Sequence, residues 1–233
     1  MQENRVMNKS NNPYATALDG LVLNDPVSAF FDFCREREKI RLARESGDPS
    51  PWTDDPIFQQ GRFLNVFRED DRGSKAILSF AKDLEKDLSM LIHALFFGRW
   101  CNRQETLDEL SSDILLQPEK LLKTLNSFDH WCNLTAYPVE PIHWEGIQYS
   151  RLDAATTLFG NIKESLAKII IEAEGDVIKA TNAINVLFKM KNNFPIFMAV
   201  IDLAWAYPMS PTITLPMCIP ILIIKGSSRS AFK

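Results

Sequence analysis

The stretch that decides the fold is residues 75–99, KAILSFAKDLEKDLSMLIHALFFGR. Its apolar side chains recur every three or four residues, which is the period that places them on one face of an α-helix. They are Ile77, Phe80, Ala81, Leu84, Leu88, Leu91, Ile92 and Leu95. Because no stretch of the chain shows convincing strand alternation, this pattern predicts a helix from about Lys75 to Arg99 in an all-α protein.

Helix start and stop signals extend this interpretation in both directions. A first helix is expected to begin after Asp25, as its N-cap, and to run to about Ser46. A second helix, capped by Asp54 or Asp55, should reach about Arg72. Later helices are predicted near 106–110, 118–125, 154–173, 176–188 and 195–206, with a loop at 137–149.

Composition favours a single domain without metal or cofactor. The chain has 233 residues, of which 45% are hydrophobic, and no repeat or linker divides it. We expect residues 1–24 to be a flexible segment and residues 25–233 to form one helical domain. The four cysteines form no C-x-x-C pair and show no zinc-site spacing with the three histidines.

Charge and hydropathy restrict the location and the partners. The net charge of −4 argues mildly against a protein that coats nucleic acid, although it leaves room for a local basic cleft. No signal peptide is visible, and the most apolar run, Ile219–Ile224, is too short to span a bilayer. A cytoplasmic protein with no membrane association and no obligate protein partner is expected.

Two polar blocks near the N-terminus are candidates for function. They comprise residues 35–41 and residues 51–57, and the second is followed at once by a charged run at 62–72. On a helix, Arg37, Arg41 and Arg44 would continue an apolar stripe, and so would Arg62, Asn65, Glu69 and Arg72 in the later run. Since burying an unpaired charge is costly, these side chains should pair with one another or face a ligand.

The link between the last two predicted helices is a helix–hairpin–helix candidate. Such hairpins bind a DNA phosphate with backbone N–H groups. Asn192 and Asn193 are expected to supply the left-handed conformations, and Lys189 and Lys191 add positive charge. An ordinary helical hairpin with solvated lysines is the alternative.

Asp202 is a lone acid in an otherwise apolar helix, which indicates either a paired structural group or a functional one. The sequence leaves these two interpretations open. Asp55 is more simply a helix cap, and Glu69 is equally well an ordinary ion-pair partner of Arg68 or Arg72. There is no Walker phosphate loop, so nothing in the sequence indicates kinase activity.

Several of these motifs together resemble one known family. They are Arg35-Glu36-Arg37, the runs at 51–57 and 62–72, Asn102-Arg103-x-Glu105-Thr106-Leu107, and the helix at 194–203. They are similar to motifs of the alpha-glutamyl/putrescinyl-thymine pyrophosphorylase family, also known as the helical domain of 5-hydroxymethyluracil DNA kinases. The likeness covers about residues 27–203, with Asn192-Asn193 where the family has Gly-Pro and Met198 where it has Gln.

The resemblance implies a fold similar to helix–hairpin–helix DNA glycosylases and a role in phage base hypermodification or phage defence. It favours a DNA glycosylase that flips out and excises a hypermodified pyrimidine, such as a glucosylated hydroxymethyl pyrimidine. Pro195 and Ile196 stand where helix–hairpin–helix lyases place a lysine, so a monofunctional hydrolase is expected. The alternatives are a transferase that joins an amino acid or polyamine to a pyrophosphorylated hydroxymethyl pyrimidine, and a non-catalytic DNA-binding adaptor.

Residue roles follow from this interpretation. The candidates for the catalytic carboxylate, which stabilises the sugar cation or activates water, are Asp202, Glu69 and Asp71. The candidate contacts to modified DNA are Arg35, Arg37, Arg41, Trp52, Asp55, Asn65, Arg68, Arg72, Lys189, Lys191, Asn192 and Asn193. If Asp202 is catalytic, Asp202→Asn should abolish activity and leave helicity and melting nearly intact.

Overall fold

The computed structural model of the chain describes residues 26–61, 63, 65–67 and 70–206. Helices dominate this part of the chain, and its one sheet is a two-stranded hairpin, so the prediction of an all-α protein is confirmed. No described helix is both long enough and apolar enough to cross a membrane. The segment predicted to be flexible, the cap at Asp25 and the apolar run 219–224 lie outside the described residues.

The backbone forms two compact units, one ending at Phe67 and the other beginning at residue 68. In the first unit, helix α1 is Pro26–Glu45 and helix α2 is Pro56–Gln60. Asp55 caps α2, as predicted, because its side chain accepts a hydrogen bond of 2.8 Å from the Ile57 N–H. The single domain expected over residues 25–233 stays a prediction.

The second predicted helix is wrong beyond Gln60. Helix α2 ends at Gly61 because this residue takes an extended conformation (φ −80°, ψ 154°). The Gly61 N–H still donates to the Ile57 carbonyl. A Cβ at Gly61 would lie 2.3 Å from the Phe63 ring, so glycine is what allows the chain to turn there. Phe63, Asn65, Val66 and Phe67 lie in no helix either, so the described residues of 58–72 do not form the predicted helical stripe.

The second unit consists of short helices around one buried helix. Most of its boundaries lie within a few residues of those predicted. In chain order the elements are α3 (Arg72–Ala81), a 3-10 turn (Lys82–Leu84), α4 (Leu88–Cys101), α5 (Gln104–Asp108), a 3-10 turn (Ser112–Leu116), α6 (Pro118–Leu125), β1 (Ile142–Trp144), β2 (Ile147–Tyr149), α7 (Arg151–Asp153), a π-helical turn (Ala154–Leu158), α8 (Phe159–Glu172), α9 (Val177–Phe188) and α10 (Phe194–Ala206).

Helix α4 is the centre of the second unit. Residues 90–101 are all buried, and α4 packs against α3, α8 and α10. The one helix predicted for residues 75–99 is instead broken, because α3 ends at Ala81 and Asp87 starts a new helix. The Asp87 side chain accepts a hydrogen bond of 3.1 Å from the Met90 N–H, so it satisfies a donor that a continuous helix would bond to the preceding turn.

The loop predicted at 137–149 contains a short β-hairpin. Strands β1 and β2 are antiparallel, with His143 opposite Gln148. Glu145 and Gly146 both have positive φ (49° and 83°), the conformation that a two-residue hairpin turn requires. The expectation of no strand is wrong at this place, because strands of three residues are too short to show alternation.

Helices α9 and α10 pack against each other across the link at 189–193. The left-handed residue of this link is Lys189 (φ 54°), so the assignment of that conformation to Asn192 and Asn193 is wrong. Asn192 instead supports the start of α10, because its Oδ1 accepts a hydrogen bond of 3.1 Å from the Phe194 N–H.

His93 is a titratable group inside the core. Its side chain is 2% exposed, and its Nε2 has no hydrogen-bond partner among the described residues. It lies against Gly160 of α8, where a Cβ would approach the imidazole Cε1 to 3.2 Å. Burial, and to a smaller extent the charge of Lys163, lowers the pKa of His93 to about 4. The core therefore holds the neutral imidazole.

We expect the free energy of unfolding to fall as the pH is lowered from 6.5 towards 4, because unfolded His93 takes up a proton that the folded core excludes. The pKa difference corresponds to about 3 kcal/mol. Urea unfolding followed by circular dichroism at a series of pH values measures the loss. Over the same pH range, the His93→Gln protein should lose about 3 kcal/mol less unfolding free energy than wild type. An equal loss in both proteins would contradict this role of His93.

Candidate functional site

A buried ion pair joins α4 to α10. Arg99 and Asp202 are 2% and 0% exposed, and the guanidinium binds the carboxylate from Nε to Oδ2 and from Nη2 to Oδ1, the latter at 2.7 Å. This fork satisfies both carboxylate oxygens. Burial lowers the pKa of Arg99, but the Asp202 carboxylate more than offsets that effect, so the net pKa is raised and Arg99 is held as a cation.

From Arg99 a polar network continues to the N-terminus of α3. Arg99 Nη2 donates to Ser74 Oγ at 3.0 Å, and Ser74 Oγ donates to Asp71 Oδ2 at 2.6 Å. The same Asp71 oxygen accepts from the Ser74 N–H at 2.7 Å, which makes Asp71 the N-cap of α3. Asp71, Ser74, Arg99 and Asp202 form a continuous chain of hydrogen bonds, the Asp71–Asp202 network.

The two carboxylates of this network differ in what they can offer a ligand. Asp202 has no exposure, and Arg99 binds both of its oxygens. Asp71 is half-buried, one of its oxygens is held by Ser74, and Oδ1 accepts no hydrogen bond from the described residues. Of the two, Asp71 is therefore the carboxylate with a lone pair available.

Asn102 closes the network at the end of α4. It is the left-handed C-cap of that helix (φ 45°), a conformation that asparagine adopts readily. Its Oδ1 accepts a hydrogen bond of 3.4 Å from Arg99 Nη1. A Cβ at Gly73 would lie 3.1 Å from this oxygen, so the glycine allows the first turn of α3 to approach Asn102.

Tyr137 fastens the following loop to the same region. Its hydroxyl donates to the Arg99 carbonyl at 2.7 Å, and its ring packs edge-on against Phe194 of α10, with 5.4 Å between the centroids. Burial raises the pKa of Tyr137 to about 12, so the hydroxyl keeps its proton at neutral pH and remains a donor.

A cavity of about 650 Å³ opens elsewhere on the second unit, at the N-terminal end of α4. Its lining has charges of both signs, with Lys86, Lys168 and Glu164 among them. Leu88 of this lining stands eleven residues before Arg99, which is about 16 Å along a helix. The cavity is therefore separate from the Asp71–Asp202 network and contains none of the residues predicted to bind DNA.

In the first unit, two predicted DNA-binding arginines make contacts within that unit. Arg41 is buried and binds Glu38 at 2.5 and 2.9 Å and Glu45 at 2.5 Å. Arg37 is buried and donates to the Phe63 carbonyl at 3.1 Å. The expectation that these arginines turn away from solvent and find partners is confirmed for both.

The other candidates of the first unit lie nearer its surface. Arg35 is exposed and pairs with Asp32. The sequence pattern predicted that Arg44 would face inward. Arg44 is instead exposed, and its guanidinium lies over the Trp52 ring, 5.1 Å from the ring centroid. Asn65 is half-buried.

The remaining candidates belong to the second unit. Arg68 and Glu69 lie outside the described residues, and Arg72 is exposed in the first turn of α3, next to Asp71. No three His, Cys, Asp or Glu side chains in the described ranges converge to hold a metal ion. The structure thus brings two of the three predicted carboxylates, Asp71 and Asp202, into one network, and the catalytic role of either stays a prediction.

The helical-domain model of the 5-hmdU DNA kinases matches residues 25–136 of the chain. Over this stretch, a little under half of the chain, the protein is similar to the 5-hmdU DNA kinase helical-domain family. The resemblance inferred from the sequence motifs is thereby confirmed over these residues. No curated protein and no solved structure matches the chain.

Three of the four residues of the Asp71–Asp202 network lie inside the stretch that matches the 5-hmdU DNA kinase helical domain. Asp71, Ser74, Arg99 and Asn102 lie inside the matched residues. Tyr137, Asp202 and the link between α9 and α10 follow the matched stretch. The network therefore connects the family domain to the helices that come after it.

Arg99, Ser74 and Tyr137 are residues of the candidate site that sequence reasoning missed. The sequence did contain a signal for Arg99, which is a lone charge at the end of an apolar helix. Asp202 is likewise a lone charge in another apolar helix. The rule that buried charges need partners could have paired the two with each other. Ser74 gave no such signal, since its neighbours in sequence indicate only a helix break.

Asp202→Asn should cost about 3 kcal/mol of unfolding free energy, because it leaves the buried cation of Arg99 without its counter-ion. This differs from the nearly intact melting expected from sequence. Urea denaturation measures the change. Asp129→Asn makes the same replacement at an exposed position and should stay within about 0.5 kcal/mol of wild type. If both variants were equally stable, the pair would not be holding α4 and α10 together.

Proposed function

We propose that the chain processes DNA containing modified pyrimidines and that it does so as a monofunctional DNA glycosylase. The similarity of residues 25–136 to the 5-hmdU DNA kinase helical-domain family supports the first part. The observation that carries the second part is Asp71, a half-buried carboxylate that has one oxygen held in place and the other without a described partner.

The chemistry requires one correctly placed carboxylate. Water adds to C1′ of the sugar, the N-glycosidic bond breaks with its electron pair leaving on the base, and the proton released by the water ends on the base. The sugar carries positive charge in the transition state, which a nearby carboxylate stabilises, and the same group can orient the water. In this proposal Asp71 Oδ1 has that role.

Asp202 has a positioning role in this proposal. Through Arg99 it fixes the guanidinium that donates to Ser74 Oγ, and Ser74 in turn donates twice to Asp71 Oδ2. The carboxylate of Asp71 is therefore held in one orientation before substrate arrives. Preorganisation of this kind is what an electrostatic catalyst needs.

The contacts of two arginines count against group transfer. A transferase acting on a pyrophosphorylated base needs several guanidinium groups free to hold the pyrophosphate. Arg41 instead binds two glutamates of its own helix, and Arg37 donates to the Phe63 carbonyl. Two of the arginines expected in such a cradle are therefore engaged within the protein.

Asp71→Asn should lower the rate of base release at least about 100-fold, because it removes the negative charge that faces the sugar cation. Stability should change little, since asparagine is as good an N-cap as aspartate. The matched control is Asp87→Asn, the same replacement at the N-cap of α4, which should release base at the wild-type rate. Equal activity of the two variants would contradict the role of Asp71.

The assay uses phage DNAs with plain, hydroxymethylated, glucosylated or aminated pyrimidines. Released bases are identified by mass spectrometry, and abasic sites by cleavage with alkali or an abasic endonuclease. Base release from one modified DNA is the expected result and names the substrate. DNA that stays intact but gains mass with an activated base and an amine would establish a transferase instead, and binding without any change would establish an adaptor.

A further inference from the structure

The link between α9 and α10 already holds an anionic group of the protein itself. The backbone N–H of Lys191 donates to Glu140 Oε2 at 2.7 Å, although the two residues are 51 positions apart in the chain. A second contact supports the first, because Asn192 Nδ2 donates to the Pro138 carbonyl at 3.2 Å. The segment 138–140 therefore lies directly against the link.

The link carries further donors next to Lys191 in the sequence. The backbone N–H groups of Asn192 and Asn193 have no acceptor among the described residues. Lys189 and Lys191 are exposed, and neither forms an ion pair within the described part of the chain. Successive backbone N–H groups beside unpaired lysines provide what an oxyanion of a phosphate group requires.

The chain is anchored both before and after Glu140. Tyr137 anchors the start of the segment through its hydroxyl bond to the Arg99 carbonyl and its ring contact with Phe194. Ile142, at the start of β1, is fully buried and anchors the other end. Glu140 itself is only half-buried, so its carboxylate can be displaced without opening the core.

We propose that Glu140 makes an autoinhibitory contact: its carboxylate occupies, at the Lys191 N–H, the position that a DNA phosphate takes when the protein engages its substrate. The inference rests on the proposed function for the identity of the competing anion. It predicts that phosphate and carboxylate exclude each other at this link, because two anions cannot share one donor. DNA binding then has to displace Glu140.

The first test needs no DNA. Inorganic phosphate is titrated into the full-length protein, and the Lys191 amide is followed by two-dimensional ¹⁵N NMR. Glu140→Gln should show a saturable shift of the Lys191 amide, at a phosphate concentration at least about fivefold lower than wild type. The control, Glu145→Gln, removes the same charge at the exposed turn of the neighbouring hairpin and should behave as wild type.

The second test measures affinity for an unmodified DNA duplex by fluorescence anisotropy at two salt concentrations. Glu140→Gln should bind about fivefold more tightly than wild type and than Glu145→Gln, and its affinity should fall more steeply with salt, as expected for one more phosphate contact. Equal tightening by both variants would point to net charge alone and would overturn the proposal.

The two tests separate this inference from the proposed function. If phosphate does not reach the Lys191 amide more readily in Glu140→Gln than in wild type, the autoinhibitory contact is refuted, whatever the DNA result. If phosphate does reach it but none of the proteins binds either the unmodified duplex or the modified phage DNAs, the contact stands as an anion gate and the proposed action on DNA is refuted.

Discussion

The second unit depends on the buried pair between Arg99 and Asp202. Removing both charges from water costs several kcal/mol for each, and this is offset only when the pair is close and the remaining donors find acceptors. Asn102 accepts from the remaining nitrogen, Nη1, and Ser74 accepts from Nη2, which also donates to Asp202. One side chain at the end of α4 thereby fixes the start of α3 and the middle of α10, although these segments are distant in sequence.

The two carboxylates of the network differ in how many of their oxygens are already bound. Asp202 balances the charge of Arg99, so its oxygens are committed inside the protein. Asp71 lies at the other end of the network, where Ser74 holds Oδ2 and Oδ1 accepts no hydrogen bond from the described residues. The family match ends at residue 136, so it includes Asp71 and leaves out Asp202.

Local signals predicted local structure well, and they did not predict where a helix would stop early. The cap at Asp55 and the helices at both ends of the link 189–193 follow from side chains that bond within their own turn. Helix α2 ended at Gly61, which is extended and leaves room for the Phe63 ring, and Asp87 began α4 as a new helix after α3. Both events depend on contacts that a periodic pattern of apolar residues does not contain.

The sequence by itself determined the helical class, the similarity of residues 25–136 to one family and the set of carboxylates worth testing, because periodicity, caps and motifs are properties of neighbouring residues. Tertiary structure alone decided which charges pair. It joined Arg99 to Asp202 and set Glu140 against Lys191, across 103 and 51 positions of chain. Partners at such separations are chosen by packing, which brings together a donor and an acceptor that no local rule connects.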